Sequence, residues 1–247
     1  MKSFMKLSIL CLFALLCVGC ASDDDNDGAE PTEVPALTVT DADGNVYNTI
    51  TIGNQTWMLE NLKTTKYNDG TPITEWTFGM DWGSLLNQEA FYQWANTDDL
   101  NNVVDEELPF DHYGAMYNHF AIETGKLAPT GWRIPTEQDF RTLENYLTNN
   151  GFNGNVVDAL KSNSGWANTT GNGTNASGFN GLPNGYVSAG GTATASELIC
   201  SWGTTDVEAG PINSSTNRRW IQLFNESTIS YSDTSILLGV AIRCIKE

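Results

Sequence analysis

The sequence predicts an α+β domain in which two helices pack against small, mostly antiparallel sheets. Three features of the residue pattern lead there: period-two segments at the start of the body, two apolar stripes at helical spacing in its middle, and strand-like segments closing the chain after a long polar stretch. The first segments read as a hairpin. Val39-Thr40 leads into Asp41-Ala42-Asp43-Gly44-Asn45, after which Val46, Ile50 and Ile52 fall on one side of a strand. Asp43-Gly44 suits the tight turn. A second turn at Gly53-Asn54 feeds another strand, Gln55-Thr56-Trp57-Met58-Leu59. Farther on, Tyr113, Met116, Tyr117 and Phe120 recur at helical spacing, which predicts a short helix closed near Gly125. A second helix opens at Thr136, with Pro135 before it and Asp139 three residues on as a capping-box variant. Phe140, Leu143 and Leu147 line its inner face until Asn149-Asn150-Gly151 stops it. Residues 149–185 hold ten Asn and eight Gly around the sparse apolar residues Trp166, Phe179 and Leu182. A loop of this length on a rigid scaffold is a common place for a binding surface. Strands return at 198–202, 218–224, 228–231 and 237–245.

The 247-residue chain carries 12 Lys and Arg against 30 Asp and Glu, a formal charge of -18. Such a surface repels polyanions, so a nucleic-acid binder is excluded as the default. Lys2 and Lys6 precede an apolar run, Leu7 to Leu16, too short to span a bilayer comfortably. The run ends in Cys17-Val18-Gly19-Cys20, which resembles the lipobox of bacterial lipoproteins, with Cys17 where leucine usually stands. Residues 1–19 are therefore expected to be a signal peptide and Cys20 the lipidated first residue of the mature protein. Residues 20–36 follow as an acidic, Pro-containing tether that cannot offset its ordering entropy. That tether resembles the signal that sends lipoproteins of Bacteroides-type bacteria to the outer face of the outer membrane; a plain spacer is the other reading. The expected address is the outer membrane, exposed at the cell surface, with acyl chains as the membrane contact. Residues 37–247 form the domain. Cys200 and Cys244 are left in it, either as a disulfide or as small buried hydrophobes.

Several segments of the body resemble one family. Ile52-Gly53-Asn54-Gln55-Thr56-Trp57-Met58-Leu59-Glu60-Asn61-Leu62, Tyr113-Gly114-Ala115-Met116-Tyr117-Asn118 and Gly131-Trp132-Arg133-Ile134-Pro135-Thr136, with the ending Ala241-Ile242-Arg243-Cys244, are similar to the Fibrobacter succinogenes major paralogous domain. The resemblance runs over about residues 38–247. It implies a fold akin to the C-type lectins and the formylglycine-generating enzymes, and a surface or secreted binding module of unspecified ligand.

Enzymatic readings have little support in the residues. The oxidase chemistry of the formylglycine-generating group needs a close cysteine pair, whereas Cys200 and Cys244 stand 44 residues apart. His112 and His119 would lie two helical turns apart, too far to share one metal. His119 reads as a partly buried core residue. The chain is thus expected to be non-catalytic and to need no cofactor, with calcium as the weaker alternative. Asp98, Asp99 and Asp105 supply the hard oxygens calcium prefers, although a solvated acidic loop explains them as well. Aromatics are the better binding candidates. Carbohydrate recognition stacks a sugar face on an indole while amides and carboxylates take the hydroxyls, which selects Trp76, Trp82 and Trp166. Trp57, Trp132, Trp202 and Trp220 fall where strands or helix entries need core. The expected ligand is a glycan first, and a protein of a surface assembly or adhesin second.

Overall fold

Asp41 organises the first turn of the body. Its carboxylate accepts the backbone N–H groups of Asp43 and Asn45, both at 2.9 Å, and the hydroxyl of Tyr47 at 2.5 Å. The hairpin read from the sequence is therefore present, and its turn is fastened by a side chain as well as by Gly44. The computed structural model describes residues 37–83, 85–95 and 108–247. The signal peptide, Cys20, the tether and the calcium candidates Asp98, Asp99 and Asp105 lie outside the described residues.

In chain order the strands begin with β1 (Thr38–Thr40), β2 (Val46–Ile52), β3 (Gln55–Met58), β4 (Thr74–Glu75), β5 (Phe91–Trp94) and β6 (Ala115–Tyr117). Helix α1 (His119–Glu123), β7 (Trp132–Arg133), α2 (Glu137–Leu147) and α3 (Val156–Leu160) follow, with one π turn at Thr148–Phe152. The rest is β8 (Tyr186–Val187), β9 (Ala193–Thr194), β10 (Cys200–Val207), β11 (Asn217–Leu223), β12 (Ser230–Ser235), β13 (Val240–Ala241) and β14 (Ile245–Lys246). These strands form a five-stranded sheet ordered β1-β2-β3-β14-β7, a seven-stranded sheet ordered β12-β11-β10-β13-β6-β5-β4, and the β8–β9 ribbon.

The fold class predicted from the sequence is thereby corrected. Among the described residues three sheets dominate and the three α-helices are few-turned, so the architecture is β-rich rather than an α+β arrangement with two helices packed on small sheets. The lectin-like layout expected from the family resemblance falls with it. The first predicted helix shows why. Tyr113, Ala115, Met116 and Tyr117 are each 1 % exposed or less, because β6 lies mid-sheet with both faces covered. A strand buried on both faces reads as a continuous apolar run, which periodicity cannot separate from a helix. Only the five residues of α1 are helical there, and Asn118 caps them by accepting the N–H of Ala121 at 3.0 Å.

Helix α2 forms as its residues dictate. Thr136 and Asp139 make a reciprocal capping box, and Arg133 grips both oxygens of Asp139 at 2.6 and 2.8 Å. Phe140, Leu143 and Leu147 are buried, each contributing about 1.5–3 kcal/mol by leaving water. Phe140 stacks on Trp202 at 5.7 Å and tilts against Trp57 at 5.0 Å, so the helix is seated on a tryptophan floor. Trp57, Trp132 and Trp202 are core, as the sequence predicts, and Trp220 packs partly buried against it.

Candidate functional site

Three consecutive features of the chain build an aromatic loop at the edge of the seven-stranded sheet. Strand β4 pairs in parallel with β5, and the backbone N–H of Trp76 continues that pairing by donating to Tyr92 O at 2.8 Å. The chain then turns back, with Met80 N–H donating to Thr77 O at 3.0 Å. Gly79 supplies the positive φ of +100° that this turn requires. The turn pushes Phe78 outward until it is 99 % exposed, with Met80 beside it 42 % exposed. Trp76 is part-exposed and bonds Met80 O through its indole N–H at 3.0 Å, which fixes the ring under the turn.

Beneath the turn lies an anchor. Trp82 is 1 % exposed, stacks on Phe91 at 6.4 Å and meets Trp76 edge-on at 6.2 Å. Its ring runs so close to Gly239 that a Cβ there would lie 2.3 Å from the indole, so only glycine admits it. Asn118 closes the far end of the loop. Its amide donates to Trp82 O at 3.3 Å and Glu89 O at 2.7 Å, while its oxygen accepts from Phe91 N at 3.0 Å. The same side chain that caps α1 therefore ties down the segment carrying the aromatics. Glu75 and Asp81 are exposed beside it and can accept hydrogen bonds from a ligand. Glu75 also approaches Tyr92, whose hydroxyl is raised to about 12 by burial first and by that carboxylate second.

The three tryptophans singled out in the sequence do not share one surface. Trp76 is accessible and Trp82 supports it from below. Trp166 is elsewhere and inside, 2 % exposed, with its indole N–H on Ser162 Oγ at 2.9 Å and the ammonium of Lys161 over its ring at 4.0 Å. A stacking role needs an open face, and Trp82 and Trp166 have none in this conformation. Trp82 enters the site as a positioning residue and Trp166 as a core residue.

The stretch 149–185 is likewise closed. The end of α3 offers its carbonyls to it: Asp158 O accepts from Thr174 N, Lys161 O from Asn175 N, Ala159 O from Ser177 N and Leu160 O from Gly181 N. Lys161, 1 % exposed, donates to the carbonyls of Thr170 at 2.9 Å, Gly171 at 2.6 Å and Phe224 at 3.3 Å. Arg243, fully buried, donates to Phe179 O at 2.5 Å and Asn180 O at 3.3 Å, and to Asn61 Oδ1 at 3.2 Å. Burial pulls Arg243 down to about 10 and lowers Lys161 as well. Two cations thus clamp the Asn/Gly segment through its carbonyls.

Cys200 and Cys244 are free, fully buried thiols that belong to two different apolar clusters. The disulfide reading is corrected accordingly, and burial raises both thiols far above their ordinary range. His119 is 3 % exposed, and its Nδ1 stands 2.8 Å from Arg218 Nη2, which also reaches Glu123 at 2.6 Å. Burial first, and the guanidinium second, lower this imidazole to about 4. Among the described residues no group of three His, Cys, Asp or Glu side chains is placed to hold a metal ion, and no helix is long and apolar enough to cross a membrane.

Phe78 and Asn118 were not singled out by sequence reasoning. Phe78 sits in Trp76-Thr77-Phe78-Gly79-Met80, where three large apolar residues alternate with small ones ahead of no strand partner; the glycine was the available signal for a turn. Asn118 could be read locally only as a cap for Ala121 N, since its other three side-chain partners, Trp82, Glu89 and Phe91, come from distant parts of the chain.

A family model described as the Fibrobacter succinogenes major domain matches residues 50–246. No curated protein and no solved structure matches the chain.

Proposed function

The chain belongs to the Fibrobacter succinogenes major domain family, and on that premise we propose that it is a non-catalytic binding module, held at the outer face of the outer membrane by lipid on Cys20, with the aromatic loop Trp76–Gly83 as a glycan seat. One observation carries the reading: Phe78, Met80 and part of Trp76 face solvent together on a turn whose base is fixed by buried Trp82. A sugar ring presents an apolar C–H face that such a platform can cover, while Glu75 and Asp81 take hydroxyls at its rim. Preorganisation matters as well as contact area, because a ligand that finds the Trp76 ring already held by Met80 O and Trp82 loses less affinity to ordering.

The test is a glycan array probed with the full-length chain in detergent micelles, with calcium and again with chelator. A saturable signal is expected, about tenfold weaker in Trp76→Ala, and equally so in Phe78→Ala, where the unfolding midpoint should be unchanged. A signal lost on chelation would bring in Asp98, Asp99 and Asp105 as calcium ligands. No signal in either condition, or one indifferent to both substitutions, overturns the glycan reading. The anchor is tested separately by metabolic labelling with a fatty acid: Cys20→Ser abolishes incorporation, and incorporation that persists refutes it.

A further inference from the structure

The outer end of β10 crosses the start of α2 at a saddle. Thr205 N–H donates to Pro135 O at 3.0 Å and Glu137 N–H to Asp206 Oδ2 at 2.6 Å, so Thr136 and Glu137 stand against Thr205 and Asp206. The wall they make has a hollow on either side. Thr136 and Thr205 line a groove of about 410 Å³ with Ile122, Ala128, Trp132 and Ile134, and Arg133 and Glu247 border it as an opposite-charged pair of side chains. Glu137 and Asp206 line a second depression of about 370 Å³, with Glu208, Asp233 and Arg219. Neighbouring residues thus serve a mainly apolar basin and an acidic one.

The acidic basin is short of cations. Arg219 is the one guanidinium that lines it and pairs with Glu137 at 2.5 Å and Asp233 at 3.2 Å, while Arg141 holds the other oxygen of Glu137 at 2.6 Å, so the unpaired charge lies on Asp206 and Glu208. Among the described residues Asp206 and Glu208 have no Lys or Arg within ion-pair distance. Asp206 accepts the Glu137 N–H, and Glu208 accepts the Asn217 amide at 3.3 Å. At the positive end of α2 three N–H groups are already taken by groups of the protein. Thr136 Oγ1 takes the Asp139 N–H, Asp206 takes that of Glu137, and the Asp139 carboxylate takes that of Thr136. A cation is therefore the complementary guest beside an apolar groove.

We propose that this saddle receives an extended peptide segment of a partner protein, with an apolar side chain in the groove and a Lys or Arg in the acidic basin. The two basins share one wall, so both side chains must project from the same side of the peptide. In an extended chain that places them two residues apart, about 7 Å. A polyamine would satisfy the carboxylates yet leave the apolar floor in water. The site is separate from the aromatic loop, and the proposal does not rest on the glycan reading.

The experiment uses the full-length chain in detergent micelles on an array of capped hexapeptides randomised at four positions, with spermidine as competitor. Bound peptides are expected to share an apolar residue two positions from Lys or Arg, and to dissociate as salt rises. Glu208→Gln should weaken binding by about three- to tenfold. Thr205→Trp, which fills the mouth of the groove from an exposed position, should abolish it at an unchanged unfolding midpoint. Trp76→Ala should leave peptide binding as it was, which separates this site from the glycan seat. The proposal is overturned by the absence of a shared motif, by a preference for acidic peptides, or by binding indifferent to both groove and basin variants. Displacement by spermidine with no dependence on the apolar residue would assign the basin to a polyamine instead.

Discussion

The loop Trp76–Gly83 and the stretch 149–185 both place aromatic side chains on glycine-containing backbone, yet the rings reach solvent in the first and are closed over in the second. The difference lies in where the backbone groups go. In 149–185 the carbonyls at the end of α3 and those of Thr170, Gly171, Phe179 and Asn180 are all taken up by donors inside the protein. Such a segment is as fixed as a sheet strand, whatever its composition suggests. In Trp76–Gly83 the bonds are few, two within the turn and two to Tyr92 and Asn118, and Trp82 is the large side chain that is fully buried, with Trp76 only partly so. Burial of one ring leaves the others free to face a ligand.

The largest effect should come from breaking the clamp on 149–185. Lys161→Ala removes the buried donor that serves three part-buried carbonyls and the cation over Trp166, and leaves a cavity along the lysine stem. A loss of about 3–5 kcal/mol is expected in urea unfolding, in the range for removing one member of a buried charged network. A loss under about 1 kcal/mol would mean that solvent already reaches those carbonyls, and the contrast between the two regions would dissolve.

A smaller effect should follow acidification, and it should fall on the other region first. His119 lies next to Asn118, which holds Trp82 O and Glu89 O. Its imidazole is lowered to about 4 by burial and by Arg218, with Glu123 opposing them. The unfolded chain therefore binds this proton more readily than the folded one. The stability tied to neutral His119 is complete above the ordinary value near 6.5 and is lost as pH falls toward 4, a total of about 3 kcal/mol. His119→Gln keeps an acceptor for Arg218 and removes the titration. Unfolding midpoints from pH 7 to pH 4 should fall more steeply in the parent chain than in this variant. Hydrogen exchange over that range should rise at Phe91 and Trp82 before it rises at Gly181. Parallel slopes in the two chains would remove His119 from the account.

What the sequence disclosed, and what it concealed, follows the same division between local and distant partners. The first hairpin, the capping box of α2 and its buried face depend on residues a few positions apart, and all are where the pattern puts them. The closing strands are also present, although β13 and β14 go to different sheets, which no local pattern reports. Strand β6 was hidden by burial on both faces. The Asn/Gly stretch looked like an open binding loop because Lys161 and Arg243, the residues that close it, are charged types seldom expected inside a core. Of the candidate site, Trp76 was legible as an aromatic off the core pattern; Phe78 and Asn118 were not, since exposure in one case and three distant bonds in the other are properties of the fold.

The smallest effect on stability should come from the most conspicuous side chain. Phe78 is 99 % exposed and its turn is set by Gly79 and the Thr77–Met80 bond, so Phe78→Ser removes almost no buried area and breaks no hydrogen bond. Its unfolding free energy should lie within about 0.5 kcal/mol of the parent chain, the usual range for surface positions without special features. If the ring is kept for a ligand, this silent substitution is the one that should cost binding, whereas Lys161→Ala costs folding. A Phe78→Ser chain destabilised by more than about 1 kcal/mol would show that the ring packs against the body in solution, and the loop would then be a second closed segment rather than the counterpart of 149–185.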